Sequence, residues 1–221
     1  MHISAAQRQF GSGTLLRHNI PSFRDKLASG ADNPSTACYQ KDNKSMKVFR
    51  GFHHPGVAPA CALTIGNFDG VHRGHQAMLA LLRGEAQQRG VPSCVLTFEP
   101  HPRDYFAEKF RKPELAPARV GTLRDKLEDL AICGVDQTVV LPFDARLAAQ
   151  SPQIFVDDVL VRGLGARYVL VGDDFRFGAQ RAGDYAFLDA AGVAAGFDVA
   201  RMNSYEVHGL RVTSSAVREA L

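Results

Sequence analysis

Two histidines three residues apart are the residues in this sequence best suited to bind a phosphate chain. His72 and His75 follow a short apolar run, residues 60–65, which lacks polar alternation and predicts a strand covered on both faces of a parallel sheet. Gly66 and Gly70 lie between the run and the histidines, where they permit a tight turn and a close approach of the backbone to a ligand. Two imidazoles at such a turn could donate hydrogen bonds to a polyphosphate.

A helix is predicted to begin near Gly74, because the apolar residues Met78, Leu79 and Leu82 recur at helical spacing. Its free N–H groups and the positive end of its dipole would point at an anion above the strand. Gly74 would also leave room for a phosphate chain against the backbone. An HxGH string is short, however, and the same histidines could be solvated loop residues.

The rest of the chain alternates strands and helices. Further strands are predicted over residues 93–98, 137–141, 167–171 and 198–202, and helices over residues 122–132, 152–163 and 184–191. This rhythm predicts an α/β fold of the Rossmann-like type, an open parallel sheet with helices on both faces. Ligands of such folds bind at the carboxyl ends of the strands.

Three loops of unusual composition follow predicted strands and would share that edge of the sheet. They are GNFDGVHRGH, EPHPRDYF, whose two prolines end the second strand, and GDDFRFGAQRAGD. Near the C-terminus, Thr213, Ser214 and Ser215 can cap a helix whose first turn carries Arg218, which together would form a second anion site. Taken alone, that stretch is also compatible with an ordinary helix cap and a solvated arginine.

Composition narrows the class of protein. An apolar fraction of 45% is enough for a core, and a net charge of +3 is too small to predict a nucleic-acid-binding surface. No apolar run reaches membrane-spanning length. The four cysteines form no CxxC pair, which favours a reduced, cytoplasmic protein. Residues 1–45 are polar and without periodicity, so they are predicted to be a disordered extension of a folded domain over residues 46–221.

Four strings together resemble a known family. TIGNFDGVHRGHQ, TFEPHP, VGDDFRFG with the following GD, and TSSAVR occur in this order between residue 46 and the end of the chain. They resemble the FMN adenylyltransferase module of the bacterial bifunctional riboflavin kinase/FAD synthetases, a branch of the HxGH nucleotidyltransferase superfamily. HxGH alone would indicate only the superfamily, whereas TFEPHP and FRFG narrow the resemblance to the flavin branch.

The resemblance implies a role for each matching position. The implied catalytic residues are His72, His75 and Arg218. The implied ATP-binding residues are Gly66, Asn67, Phe68, Asp69, Gly70, Gly74, Ser214 and Ser215. The implied flavin-binding residues are Pro100, His101, Pro102 and Asp104, and a loop near both substrates comprises Asp174, Phe175, Arg176, Phe177 and Gly178. His101 could instead be an exposed loop residue, and Asp173 with Asp174 could face magnesium or be a solvated strand end.

The implied reaction joins FMN and ATP to give FAD and pyrophosphate, with Mg²⁺ bridging the ATP phosphates and no metal site on the protein itself. The C-terminal riboflavin kinase module of the family is expected to be absent, so this chain is not expected to phosphorylate riboflavin. The sequence predicts neither a nucleic-acid nor a membrane partner, and it does not determine the oligomeric state.

Three alternatives stay open. The chain could be another HxGH-type adenylyl- or cytidylyltransferase, or a flavin- or nucleotide-binding module without turnover. A metal site on His72, His75 and His101 is less favoured, since no cysteine or carboxylate completes a familiar ligand pattern.

Overall fold

The structure is a computed structural model that describes residues 45–116, 118–203, 206–207, 210–211 and 213–220. The disordered extension predicted for residues 1–45 therefore lies, apart from Ser45, outside the described residues. Within the described ranges, no helix is both long and apolar enough to cross a membrane.

Six parallel strands form one open sheet in the order β1-β4-β3-β2-β5-β6. They are β1 (Lys47–Arg50), β2 (Cys61–Ile65), β3 (Ser93–Glu99), β4 (Gln137–Pro142), β5 (Ala166–Gly172) and β6 (Asp198–Met202). From β2 the chain continues through β3 and β4 on one side and later through β5 and β6 on the other. The strand order thus reverses between β2 and β5, the place where open α/β sheets form their ligand crevice.

The helices connect these strands. They are α1 (Arg73–Gln88), α2 (Pro102–Phe110), α3 (Leu123–Ile132), α4 (Ala145–Ala149), α5 (Pro152–Ile154), α6 (Tyr185–Ala195) and α7 (Ser214–Ala220). The last turn of α5 continues as a π-helix over Phe155–Gly163. Short 3-10 turns lie at Pro113–Leu115 and Ala179–Arg181, and a small antiparallel pair is formed by β7 (Glu206–Val207) and β8 (Leu210–Arg211).

Apolar side chains cover both faces of the sheet. On one face Leu82 of α1 and Leu130 of α3 pack in the same cluster as Val95 of β3. On the other face Leu160 of the π-helix and Leu188 of α6 pack with the remaining side chains of β2 to β5. Every residue of β2 is buried, which is why its sequence shows no polar alternation. The predicted fold class, a Rossmann-like open parallel sheet with helices on both faces, is confirmed.

Helix α3 begins and ends as its sequence predicts. The Thr122 hydroxyl accepts a hydrogen bond from the Asp125 N–H at 3.2 Å, and the Asp125 carboxylate accepts from the Thr122 N–H at 2.8 Å, which completes a capping box. Gly134 follows the helix with φ of +74°, a left-handed conformation that favours glycine.

One sequence prediction about the chain between β3 and α3 is wrong. Residues 99–104 were expected to form a loop, but Pro102 opens α2 instead, with His101 as the N-cap. Proline ends a strand because it cannot donate to the ladder, yet its fixed φ suits the first helical position, so the same residue does both. Strand β1 gave no signal because only Phe49 of its four residues is buried.

Candidate functional site

The loop between β2 and α1 is anchored inward rather than free. The Gly66 N–H donates to the Leu96 carbonyl at 3.1 Å, which ties the start of the loop to β3. Phe68 adopts φ of +48°, and its side chain is 1% exposed, with its ring 4.8 Å from the ring of His75. Any contribution of Phe68 to nucleotide binding would therefore come from its backbone, since the ring is part of the core.

His72 is the N-cap of α1. Its Nδ1 accepts a hydrogen bond from the His75 N–H at 3.3 Å. A nitrogen that accepts carries no proton, so neutral His72 carries its proton on Nε2. His72 can therefore donate from Nε2 to an anion without first being charged.

His75 has the opposite tautomer. Its Nδ1 lies 3.0 Å from the Gly70 carbonyl oxygen, and because a carbonyl only accepts, Nδ1 must carry the proton. Nε2 of neutral His75 is then an acceptor and becomes a donor only when the ring takes up a second proton. The two imidazoles stack with centroids 3.7 Å apart. The expected pair of donors is thus one ready donor, His72, and one, His75, that needs protonation.

Burial keeps both rings neutral in the free protein. It lowers the pKa of His75 to about 3, with the nearby His72 acting in the same direction, and it also lowers the pKa of His72. A polyphosphate bound against these rings would favour their charged forms and so raise both pKa values.

Asp69 and Arg218 join the two ends of the predicted site across 149 positions of sequence. The Arg218 guanidinium donates to Asp69 Oδ2 at 2.7 Å and to the Ala118 carbonyl at 2.8 Å. Asp69, 3% exposed, also accepts from the Val120 N–H at 3.1 Å. Burial alone would raise the pKa of Asp69, but the hydrogen bonds from Arg218 and Val120 outweigh it and hold that pKa below its ordinary value.

Helix α7 begins as the TSSAVR string predicts. The Thr213 hydroxyl accepts from the Ala216 N–H at 3.1 Å, so Thr213 is the capping residue, and Ser214 and Ser215 occupy the first turn. Ser215 is exposed and Ser214 is partly exposed. The structure thus brings Arg218 to the HxGH loop, while the phosphate contacts expected of the two serines stay predictions.

The residues expected on the flavin side are less accessible than their loop position suggested. His101 is 3% exposed, and its Nδ1 accepts from the Arg103 N–H at 3.1 Å, so it is a buried cap rather than an exposed loop residue. Asp104 pairs with Arg119 at 2.8 Å. Pro100 is exposed, and Pro102 and Asp104 are partly exposed, so His101 is the only buried residue of these four.

The loop after β5 divides between core and surface. Phe177 is 7% exposed and Phe175 packs against it with ring centroids 5.3 Å apart, whereas Asp174 is exposed. Arg176 pairs with Asp184, the N-cap of α6, at 3.2 Å. Gly178, with φ of +73°, lies against the ring of Pro152.

The sequence motifs did not indicate several residues that lie next to this site. Thr97 and Lys126 lie beneath the Asn67 backbone, and Arg119 pairs with Glu99 as well as Asp104. Lys126 carried a usable signal, because it occupies the apolar face of α3 between Leu123 and Leu130. Phe98, Tyr105 and Phe106 each contact the ring of Phe143 edge to face, which forms a group of four aromatic rings.

Comparison with known proteins places these features in a family. Residues 55–216 match the FAD synthetase family. The chain is 48% identical over 178 residues to the bifunctional riboflavin kinase/FMN adenylyltransferase of Escherichia coli K12, covering 80% of this chain and 55% of that protein. The proteins of the same name from Pseudomonas fluorescens and Haemophilus influenzae are 49% and 44% identical, each over 80% of this chain and 55% or 56% of theirs. The chain thus spans about half the length of the curated relatives it matches.

A solved structure supports the fold. The crystal structure of a macrolide-efflux protein from Streptococcus pneumoniae superimposes with a TM-score of 0.66, covering 80% of this chain and 57% of that one. The two sequences are 20% identical, so this likeness concerns the arrangement of strands and helices alone.

Proposed function

The chain belongs to the FAD synthetase family, and we propose that it is an FMN adenylyltransferase. In the proposed reaction a phosphate oxygen of FMN attacks the α-phosphorus of ATP. The bond from that phosphorus to the oxygen bridging to the β-phosphate breaks, so that FAD forms and pyrophosphate leaves. The curated relatives carry this activity in their names, and residues 55–216 are the part that matches the family.

The observation that carries the proposal is the contact between Arg218 and Asp69. It places the only cation of the TSSAVR string beside the loop that carries His72 and His75. The loop also leaves β2, next to the reversal of strand order, where open parallel sheets bind nucleotides. We therefore propose that these two segments, which are in contact through Arg218 and Asp69, line the ligand crevice expected at this edge of the sheet.

The residues at this crevice suit a reaction that needs alignment more than base catalysis. The phosphate of FMN is already ionised near neutral pH, so no strong general base is required, and the barrier falls when charge on the α-phosphate and pyrophosphate oxygens is stabilised. We propose that His72 donates from Nε2, that His75 donates once the bound phosphates have raised its pKa, and that Arg218 adds a guanidinium. Gly66, Asn67, Asp69, Gly70, Gly74, Ser214 and Ser215 would shape the ATP site.

Magnesium would enter with ATP. In the part of the chain that the structure describes, no group of three or more His, Cys, Asp or Glu side chains could hold a metal ion. Mg²⁺ in nucleotide sites is held largely by phosphate oxygens and water, with few protein ligands, so this side-chain set fits an ion delivered as MgATP.

The flavin ring would lie against aromatic side chains beside the EPHP segment. Tyr105 and Phe106 of α2 contact Phe143, which follows β4, at centroid distances of 5.5 and 5.8 Å. Aromatic surfaces of this kind bind planar apolar rings. Pro100 and Pro102 would border the ring, and buried His101 would act by fixing the shape of the segment.

The deciding experiment is to incubate the chain with FMN, ATP and Mg²⁺, and to quantify FAD by chromatography and pyrophosphate by a coupled assay. Equal amounts of FAD and pyrophosphate are expected. Riboflavin in place of FMN, and CTP in place of ATP, serve as substrate controls that distinguish another acceptor or nucleotide. Tight flavin binding with no FAD would contradict the proposal and favour a binding module.

A further inference from the structure

Lys126 is a buried cation that forms no ion pair with any described residue. Its residue is 3% exposed, and within the described ranges its Nζ makes one hydrogen bond, to the neutral hydroxyl of Thr97 at 3.4 Å. No described carboxylate lies within ion-pair distance, 4.0 Å, of that nitrogen. An ammonium has three N–H donors, and burying it without a counter-charge is costly.

Two arginines near the site are paired, unlike Lys126. Arg218 contacts Asp69 at 2.7 Å, and Arg119 contacts Asp104 at 2.8 Å and Glu99 at 3.4 Å. Lys126 therefore differs from its neighbours in charge balance as well as in burial.

The Lys126 ammonium lies directly behind the nucleotide loop. Thr97, which accepts from Lys126, donates in turn to the Asn67 carbonyl at 3.2 Å, so the amine is two hydrogen bonds away from the loop backbone. The charged groups that act on Lys126 are Glu99 of β3, Arg119, and Asp69 of the loop itself. Burial is the largest influence on the pKa of Lys126 and lowers it, as expected for an amine removed from water, while the charge of Glu99 acts in the opposite direction.

We propose that Lys126 is a positioning residue whose charge is completed by the anionic substrate: it fixes Thr97 and the Asn67 carbonyl, and its positive charge lies behind the loop that receives the ATP phosphates. This inference rests on the proposed function, because it assigns Lys126 to the same anion site. In the free protein no described carboxylate forms an ion pair with this buried charge, and the bound phosphates would offset it across a medium of low dielectric constant.

Removal of Lys126 should change the stability of the free protein in the opposite direction from removal of a lysine that is needed for folding. Replacing an unpaired buried charge with an apolar side chain of similar length removes a desolvation cost, so Lys126→Met should stabilise the free protein while it weakens anion binding. A lysine needed for folding would instead lower stability when removed.

The test compares the wild type with K126M, with inorganic pyrophosphate as the probe. Calorimetric titration is expected to show pyrophosphate affinity reduced about 10- to 100-fold in K126M, because the positive charge behind the loop no longer attracts the anion. The thermal midpoint of the free variant is expected to rise by about 2–4 °C.

Arg124→Met, at an exposed position on the same helix, should leave both quantities unchanged. Thr97→Val removes the hydroxyl that joins Lys126 to the Asn67 carbonyl but keeps the Lys126 charge, so its loss of pyrophosphate affinity should be smaller than that of K126M.

A second measurement detects the Lys126 charge through its effect on the pKa values of two nearby histidines. The Lys126 charge contributes to lowering the pKa values of His75 and His101. Titration of the imidazole signals by NMR should show both values higher in K126M than in the wild type, and unchanged in R124M.

Each outcome decides the inference. The inference is wrong if K126M binds pyrophosphate as tightly as the wild type. It is also wrong if K126M fails to fold, because the loss of a destabilising buried charge should not unfold the free protein. If the wild type binds pyrophosphate through Lys126 but makes no FAD, the proposed function fails and this inference stands. If K126M makes FAD as fast as the wild type and binds pyrophosphate equally well, the inference fails and the proposed function stands.

Discussion

The Arg218 guanidinium donates to Asp69 Oδ2 at 2.7 Å in a contact from which solvent is largely excluded, since the two side chains are 19% and 2% exposed. Asp69 is also bonded to the Val120 N–H, and Arg218 to the Ala118 carbonyl. The pair therefore connects the β2–α1 loop, the segment before α3, and α7. Loss of either charge leaves the other buried without its partner.

A double-mutant cycle should detect this coupling in the free energy of unfolding. Asp69→Asn and Arg218→Met are each expected to destabilise the protein, and the double variant should lose less than the sum of the two, with an interaction energy of about 0.5–3 kcal/mol. Chemical denaturation of the four proteins measures it.

The exposed pair Arg124 and Glu128 is the matched control. Its side chains are 86% and 61% exposed, so its coupling should be no more than about 0.5 kcal/mol. Equal coupling in the two cycles would show that Asp69 and Arg218 do not form a desolvated pair in solution.

His75→Ala should reduce turnover to FAD by about 10²- to 10³-fold, the loss typical of one preorganised donor at a reacting oxyanion. The reason is that the ring lies at the start of α1, stacked on His72, where the phosphates are proposed to bind. Steady-state kinetics at saturating FMN measures the effect. His54→Ala removes an exposed imidazole and should leave turnover near the wild-type value; an equal loss in both variants, or none in H75A, would remove His75 from the mechanism.

The sequence predicted the fold well where local patterns and burial agree. The run of β2 without polar alternation, the Thr122 capping box and Gly134 after α3 each predicted one local structure, and the structure shows each of them. The sequence did not predict the short edge strand β1. Only Phe49 of this strand is buried, so β1 shows no pattern of buried apolar residues.

The motifs predicted that His72, His75 and Arg218 lie at one edge of the sheet, and the structure brings Arg218 to the β2–α1 loop. The tautomers of the two histidines depend on the Gly70 carbonyl and the His75 N–H, which no sequence pattern reveals. His101 lies between two prolines, which suggested a loop residue, yet it is buried, and Asp69, Arg119 and Lys126 from other segments act on its charge. Long-range contacts of this kind are decided by the tertiary structure.

Gly70→Ala should destabilise the protein and disturb the loop, whereas Gly84→Ala should not. Gly70 has φ of +66°, and a Cβ there would lie 2.6 Å from Cγ1 of Val120, the residue whose N–H donates to Asp69. The left-handed conformation alone costs a substituted residue about 1–3 kcal/mol, and the contact with Val120 adds to that. Gly84 lies inside α1, and a Cβ at this position would meet nothing within 4 Å, so alanine should stabilise the protein by about 0.5–1 kcal/mol. Urea unfolding compares the two variants, and a stable G70A with normal turnover would contradict this account of the loop.

Buried His101 should make folding stability fall as the solution is acidified. Burial, helped by the charge of Arg119, lowers the pKa of His101 to about 4, whereas an unfolded histidine titrates near pH 6.5. Between these values the unfolded chain binds a proton that the folded chain does not, so stability is fully present above about pH 6.5 and is lost as the pH falls towards 4.

His101→Asn keeps a side chain able to cap α2 at the Arg103 N–H but cannot titrate. Urea unfolding at pH 8 and pH 5 should therefore show a loss on acidification that is smaller in H101N, by on the order of 1–2 kcal/mol. Parallel pH profiles for the wild type and H101N would contradict this prediction, because they would show that the His101 proton does not contribute to the loss of stability.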